Sequence, residues 1–445
     1  MAWLTSKRLS AVFGVGEFRA LWAAELLSLG GDQLARVAVA VLVYGRTGSA
    51  AWAAFAYALT FLPALVGGAL LSWPADRYRR RAVLVAADLV RAAGVAGMAV
   101  PGVPLWVLCV LLTGVVLVGA PFTAAQGALL PEVLPGELYQ RGLAIRQVTS
   151  QTVQLAGFGA GGLLAAASPS VALLIDAVTF LASAAIIRAG VADRPRPAAA
   201  PSAGADPPTA TDPSSATDPP TATDPSSATE PPTATDAGAA AETETSGAGG
   251  RAVVRVFGDP RRRVLVLLAW TVGWYVVPEA LAAPYAASLG TGPASVGLLM
   301  AADPLGSVVG AWAFVRFVPD DVRDGLIGVL AVAAGLPLIA CVLGPGLPAT
   351  LALWALSGSA STAYLLQAQA TFVRSTPASE RGRAIGFAAS GLVAAQGVAV
   401  LSGGVLAGLM TPPQAVAAAG GIGAACAAIG ALAWRRVLTN SCCAR

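Results

Sequence analysis

Eight charged residues stand inside long apolar runs of this sequence: Glu25, Asp32, Arg36, Asp88, Arg91, Asp176, Glu279 and Asp303. A charge at the centre of a membrane helix costs roughly 2.5–3.5 kcal/mol on insertion scales, so each implies a partner or a task. The chain has no histidine, so proton chemistry falls to carboxylates. Glu25 and Asp32 are seven residues apart and share a helix face. Asp32 and Arg36 are four apart with the acid first, the favourable order for an ion pair. In one reading Asp32 is a coupling carboxylate that takes up and releases a proton, with Arg36 and the apolar wall acting on it in opposite senses. In the other, Asp32 and Arg36 are a permanent structural pair. Glu25 and Asp303 are further coupling candidates.

The remaining polar groups also allow two readings each. Asp88 and Arg91 lie near one end of their run, which suits either a gate network or contact with a bound molecule. Asp176 and Glu279 are candidates for a cavity wall, and Pro278 and Pro284 are expected to bend their helix. Asp303-Pro304 is expected to mark a break. Gln147, Gln151 and Gln154 fall at helical spacing on one face, suited to a cavity or to hydrogen bonds between helices. Gln126, Gln367 and Gln369 raise the same choice.

The elements that hold these groups follow from composition. Of 445 residues 56% are hydrophobic and 12% charged, against roughly 25% charged in soluble chains. Apolar runs of about 20 residues can span a bilayer. They occur at 20–43, 50–72, 82–100, 104–126, 143–167 and 170–189, then at 263–287, 294–318, 324–344, 348–373, 383–408 and 412–437. Runs this long without polar alternation predict helices, not a barrel. The expected fold class is an all-α integral membrane protein of twelve transmembrane helices in two six-helix pseudo-symmetric halves. The first apolar run is read as a retained helix, not a cleaved signal.

Basic residues set the expected orientation. Arg19, the cluster Arg77 to Arg81, Arg141, Arg146, Arg188, Arg261 to Arg263, Arg323, Arg374, Arg381, Arg383 and Arg435 all fall at one set of loops and ends, and the alternate loops hold only Arg46. This bias predicts cytoplasmic termini and an even number of spans. With one lysine among 28 basic residues, the composition suggests a GC-rich bacterial genome and a multi-pass protein of the cell inner membrane.

Three regions are expected: a six-helix bundle over 1–190, a linker over 191–260 and a second bundle over 261–445. The linker repeats Asp206-Pro207-Pro208-Thr209-Ala210-Thr211 almost unchanged from Asp218. Such composition cannot bury a core and predicts a disordered spacer. The bundles echo each other: Arg141-Gly142-Leu143-Ala144-Ile145 opens the fifth run and Arg381-Gly382-Arg383-Ala384-Ile385 the eleventh. Parallel six-span repeats suit a transporter with its substrate between the halves. An enzyme is not expected, since there is no histidine for a Ser-His-Asp set and no phosphate loop ending Gly-Lys-Ser/Thr. The five cysteines show no metal or disulfide spacing. No cofactor, metal or nucleic-acid partner is expected; the expected partners are protons, membrane lipid and a small molecule.

Ser72-Trp73-Pro74-Ala75-Asp76-Arg77-Tyr78-Arg79-Arg80-Arg81, between the second and third runs, resembles the signature loop of the major facilitator superfamily, with Ser72 and Arg79 where the pattern has glycines. Phe18-Arg19 to Trp22, Ser28 to Asp32, Ala87 to Ala92, Ala128 to Pro135 and Glu380-Arg381-Gly382-Arg383 resemble its twelve-helix drug:proton antiporter branch, which includes enterobactin exporters and macrolide efflux proteins. The resemblance covers nearly the whole chain outside the linker. It implies proton-coupled efflux of a lipophilic or amphipathic molecule by a monomer, with a siderophore exporter or an importer as the alternative on the same scaffold. A non-transporting receptor or scaffold is disfavoured by the costly intramembrane acids. The resemblance also implies that Asp76 lies at the start of the eleventh span, that Arg77 ties the cytoplasmic ends together, and that Arg80, Arg81, Asp88, Arg91, Arg381 and Arg383 belong to the gate. In the fifth run Gly157-Phe158-Gly159-Ala160-Gly161-Gly162 lacks the proline that members of the branch often carry.

Overall fold

The computed structural model describes residues 11–71, 73–194, 257–377 and 380–443. Most of the expected linker lies outside them, as do Ser72 and the side chain of Asp76. Every regular element described is helical. The first set is α1 (Gly16–Thr47), α2 (Ala50–Ala58), α3 (Leu62–Leu70), the short α4 (Trp73–Arg77), α5 (Arg80–Ala99), α6 (Leu105–Val133), α7 (Glu137–Ala167) and α8 (Pro169–Gly190). The second is α9 (Pro260–Trp270), α10 (Val272–Tyr275), α11 (Val277–Ala280), α12 (Ala282–Ser288), α13 (Ala294–Phe317), α14 (Asp320–Ile339), α15 (Leu347–Ser375), α16 (Arg381–Leu409) and α17 (Pro412–Cys443). α2 with α3 makes one crossing, and α9 through α12 another.

Eleven helices or helix runs among the described residues are long and apolar enough to cross a membrane. The twelfth crossing is α7. Its 31 residues span roughly 46 Å at 1.5 Å per residue, but its glutamines and glycines dilute its apolar character. It still has to cross, because α6 ends at one face of the protein and α8 begins at the other. The helices thus alternate between a basic end, which gathers the arginine-rich loops, and a far end. At the far end four turns close on glycines with positive φ: Gly48, Gly102, Gly290 and Gly344. That backbone conformation suits glycine and permits tight hairpins.

Where a bend is expected near Pro278 and Pro284, the helical run is interrupted, and this crossing is divided into α9, α10, α11 and α12. The break expected at Asp303-Pro304 is not. α13 runs unbroken for 24 residues with Pro304 inside it. A proline removes one helical hydrogen bond, and close packing on α15 compensates. Gly306 lies against the backbone of Ala355, Gly310 against Ser359, and Gly358 against Asp303. A side chain on any of these glycines would hold the helices apart.

The two sets share one core, and the first set's part of it lies in the middle and far-end levels. Val37, Ala54, Tyr57, Phe158 and Ala165 of the first set pack with Val277, Leu281 and Leu299 of the second. Two crossings close that region: Gly162 of α7 against Gly297 of α13, and Gly404 of α16 against Ala54 of α2. The first set's basic-end core, built on Phe18, Leu84, Leu129 and Ile187, contains no residue of the second. There Leu143 and Val148 of α7 and Arg383 and Ile385 of α16 are exposed. The sets are therefore joined at the far end and part toward the basic end.

Candidate functional site

A cavity of about 620 Å³ lies among α1, α2, α3, α5, α6, α7 and α8, with a mainly apolar wall. Its charged lining is Glu25, Asp32, Arg36, Arg91, Arg146 and Asp176. All belong to the first set, so this cavity lies within one half and not midway between the two.

Asp32 is not paired with Arg36. Nη2 of Arg91, from α5, donates to both oxygens of Asp32 at 3.0 and 2.9 Å. The same guanidinium donates to Ser28 Oγ at 3.3 Å and lies 4.0 Å from the ring centroid of Phe180. Paired contact to the carboxylate, a hydroxyl and an aromatic face hold Arg91 better than one turn of α1 could hold Arg36. Arg36 instead lies over Phe61, 5.9 Å from the ring centroid.

Asp88 and Arg91 also sit away from the signature loop. Asp88 is eight residues into α5 from Arg80, roughly 12 Å along the axis. It is fully buried, accepts from Ser183 Oγ at 2.6 Å and lies 3.8 Å from Arg91. Asp176 is fully buried too, and Thr179 Oγ1 donates to its Oδ1 at 3.3 Å. Gly31 of α1 makes room for both, because a Cβ there would overlap Asp176 and Thr179. One oxygen of Asp88 and one of Asp176 have no hydrogen-bond partner among the described residues. Two carboxyl groups, Asp32 and Asp88, therefore share one guanidinium, and a third, Asp176, lies on the same cavity wall.

Toward the basic end, Arg146 donates to both oxygens of Glu25 at 2.5 and 2.7 Å and to Gln126 Oε1 at 2.9 Å. Sequence reasoning took Arg146 only as a topological marker. Its position inside the expected span 143–167 was the available signal. Gln147, Gln151 and Gln154 are not part of the cavity lining, and Gln147 is exposed. The face of α7 that meets α1 and the cavity is set by Arg146, Gly157 and Gly161.

Two other expected cavity residues lie elsewhere. Gln367 donates to Asp324 Oδ1 at 2.7 Å, beside Thr371 and Arg374, in a basic-end cluster that ties α14 to α15. Glu279 is buried in the joint between the sets and accepts from the Tyr57 hydroxyl. Among the described residues this is the one side-chain hydrogen bond that crosses between the sets. Asp303 sits in the α13–α15 packing instead of the cavity wall.

Replacing Tyr57 by phenylalanine keeps the ring and leaves Glu279 buried without its donor. Such an orphaned group costs about 1–3 kcal/mol. Tyr57→Phe is expected to lower the unfolding temperature in detergent, and adding Glu279→Leu to recover most of the loss.

At the signature loop the ionic contacts among the described residues stay within the first set. Arg79 pairs with Asp193 at 2.8 Å, Arg80 with Glu132, and Arg81 donates to the Val191 carbonyl at 3.2 Å. Arg77 is exposed and makes no ion pair among the described residues. Arg381 donates to the Thr376 carbonyl at 3.3 Å, and Arg383 is exposed. The gate contact between the halves that the resemblance implies is not formed among these side chains, in keeping with the parted basic end.

Comparison with known proteins agrees with this architecture. Residues 21–278 match the family model described as Major Facilitator Superfamily. Macrolide efflux protein A of Streptococcus pyogenes is 29% identical over 126 residues, which is 27% of this chain and 31% of that protein. Among solved structures, the nucleoside transporter NupG superposes with a TM-score of 0.71 at 9% identity, covering 94% of this chain and 99% of that one. A bacterial homologue of the lysosomal transporter Spinster, inward-facing and unoccupied, gives 0.63 at 15% identity over 95% and 98%. A bacterial ferroportin homologue in an inward-facing state gives 0.64 at 14% identity over 94% and 98%. At these identities the structural likeness speaks for the fold.

Proposed function

This chain belongs to the Major Facilitator Superfamily, and from that premise we propose that it is a proton-coupled exporter of a lipophilic or amphipathic small molecule. The observation that carries the reading is the cluster of half-buried Asp32 with buried Asp88, Asp176 and Arg91 on and behind the wall of a large apolar cavity. Three carboxylates against one guanidinium would leave uncompensated negative charge inside the membrane. A bound proton relieves that cost, and a change in the Asp32–Arg91 pair would move the proton. The mainly apolar wall suits a molecule with a large apolar body. The partial similarity to a macrolide efflux protein supports export.

In this reading the basic end faces the cytoplasm and the protein rests inward-facing in the cell inner membrane, as a monomer with both termini inside. The far-end crossings then form the outer gate. Residues 191–260 act as a cytoplasmic spacer between bundles over 1–190 and 261–445.

The test is proton flux in proteoliposomes challenged with a panel of lipophilic compounds and siderophores. Substrate-dependent flux is expected in the wild type and its loss in Asp32→Asn. Undiminished coupled transport by Asp32→Asn would remove Asp32 from the proton path. Flux in the same direction as the substrate would replace export against protons with import.

A further inference from the structure

Most charges on the cavity wall already have an opposite partner. Arg146 holds Glu25, and Arg91 holds Asp32. Two wall residues lack an ion pair among the described residues: Asp176 and Arg36. They differ in access. Asp176 is 0% exposed, whereas Arg36 is half-buried and borders the open volume.

Arg36 carries five N–H donors, and none has a protein acceptor among the described residues. Its guanidinium rests over Phe61. Glu279, in the joint between the sets, accepts from the Tyr57 hydroxyl. An accessible cation inside a membrane protein is expensive to keep without a partner. A ligand that brings the missing oxyanion relieves this cost, and the planar guanidinium suits such a group because it can donate two parallel hydrogen bonds. The wall around it is apolar, with Val39, Met98, Leu112 and Val115. A cationic ligand would meet a guanidinium with no ion-pair partner among the described residues, and the acid on the wall without such a partner, Asp176, is buried.

We propose that Arg36 is the recognition group for an anionic head, so that the molecule carried is an amphiphile with one carboxylate or sulfonate on a mainly apolar body. This rests on the reading that the cavity holds the substrate.

Two probes with the same aromatic body separate the possibilities: 8-anilinonaphthalene-1-sulfonate and the uncharged N-phenyl-1-naphthylamine. Each is titrated by fluorescence onto the full chain in nanodiscs, with empty nanodiscs subtracted. Arg36→Gln is expected to reduce sulfonate affinity by about ten-fold or more while leaving the neutral probe unchanged. Arg36→Lys, which keeps charge but loses the fork, should fall between, and it gives a second reading if the glutamine variant folds poorly. Gly119→Trp serves as the occupancy control. Gly119 lines the cavity and has open space beside it, so the indole should block both probes. If Gly119→Trp blocks binding but neither Arg36 variant alters the ratio of the two affinities, the anion preference is wrong and the cavity reading stands. If Gly119→Trp blocks neither probe, the cavity is not where they bind, and both readings fall.

Discussion

Arg91→Gln is expected to lower transport at least ten-fold and to destabilise the first helical set more than any other single polar substitution. The guanidinium is 9% exposed and is the one cation shared by Asp32 and Asp88. Removing one partner of a buried pair typically costs about 3–5 kcal/mol, because the other charge is left behind. Here the loss also strips a donor from Ser28 and a cation from the face of Phe180. A double variant separates stability from coupling. Adding Asp32→Asn to Arg91→Gln removes the stranded charge and should restore much of the unfolding temperature. It should not restore proton-coupled transport, because the pair proposed to move the proton is gone. Recovery of both by the double variant would make the pair purely structural.

Gly162→Val is expected to stop the cycle with little effect on the fold of either set. A Cβ at Gly162 would come within 2.7 Å of the Ala294 carbonyl oxygen and of the Gly297 Cα. That is backbone against backbone, so neither side can yield by turning a rotamer. The substituted α7 has to stand away from α13, and the far-end crossing opens. Transport should fall by at least about ten-fold, since alternating access requires each end to close in turn. A cysteine introduced beside this crossing should become reactive to an impermeant thiol reagent added from the far-end side. Gly159→Val is the matched control. Gly159 lies one turn away on the same helix with open space around it, and it should leave both readouts near wild type. Full activity in Gly162→Val would mean that the far-end joint is not a moving gate.

The sequence by itself determined the class of the protein. Apolar runs of about 20 residues leave a backbone no partners but its own, so helices were unavoidable. Their number followed from length, and the basic loops marked one end. The prolines at 278 and 284 signalled the interruption of the seventh crossing because proline cannot donate to the preceding turn. The chain also displayed the intramembrane charges, because each is conspicuous among apolar neighbours.

Only the tertiary structure decided which charges meet. Spacing within α1 offered Arg36 to Asp32, but Arg91 on α5 reaches the carboxylate with better geometry. Arg146 could be seen as basic, yet nothing local revealed that Glu25 and Gln126 converge on it. The glutamines of α7 share a face, but helical periodicity does not say what that face looks at. Pro304 suggested a break, and the glycine contacts between α13 and α15 kept the helix whole. The physical reason is the same in each case. Secondary structure in a membrane is fixed by local hydrogen bonding, whereas ion pairs and cavities depend on the rotation and approach of helices distant in sequence. Those are set by small residues such as Gly31, Gly162 and Gly297, whose role is the room they leave for a neighbour.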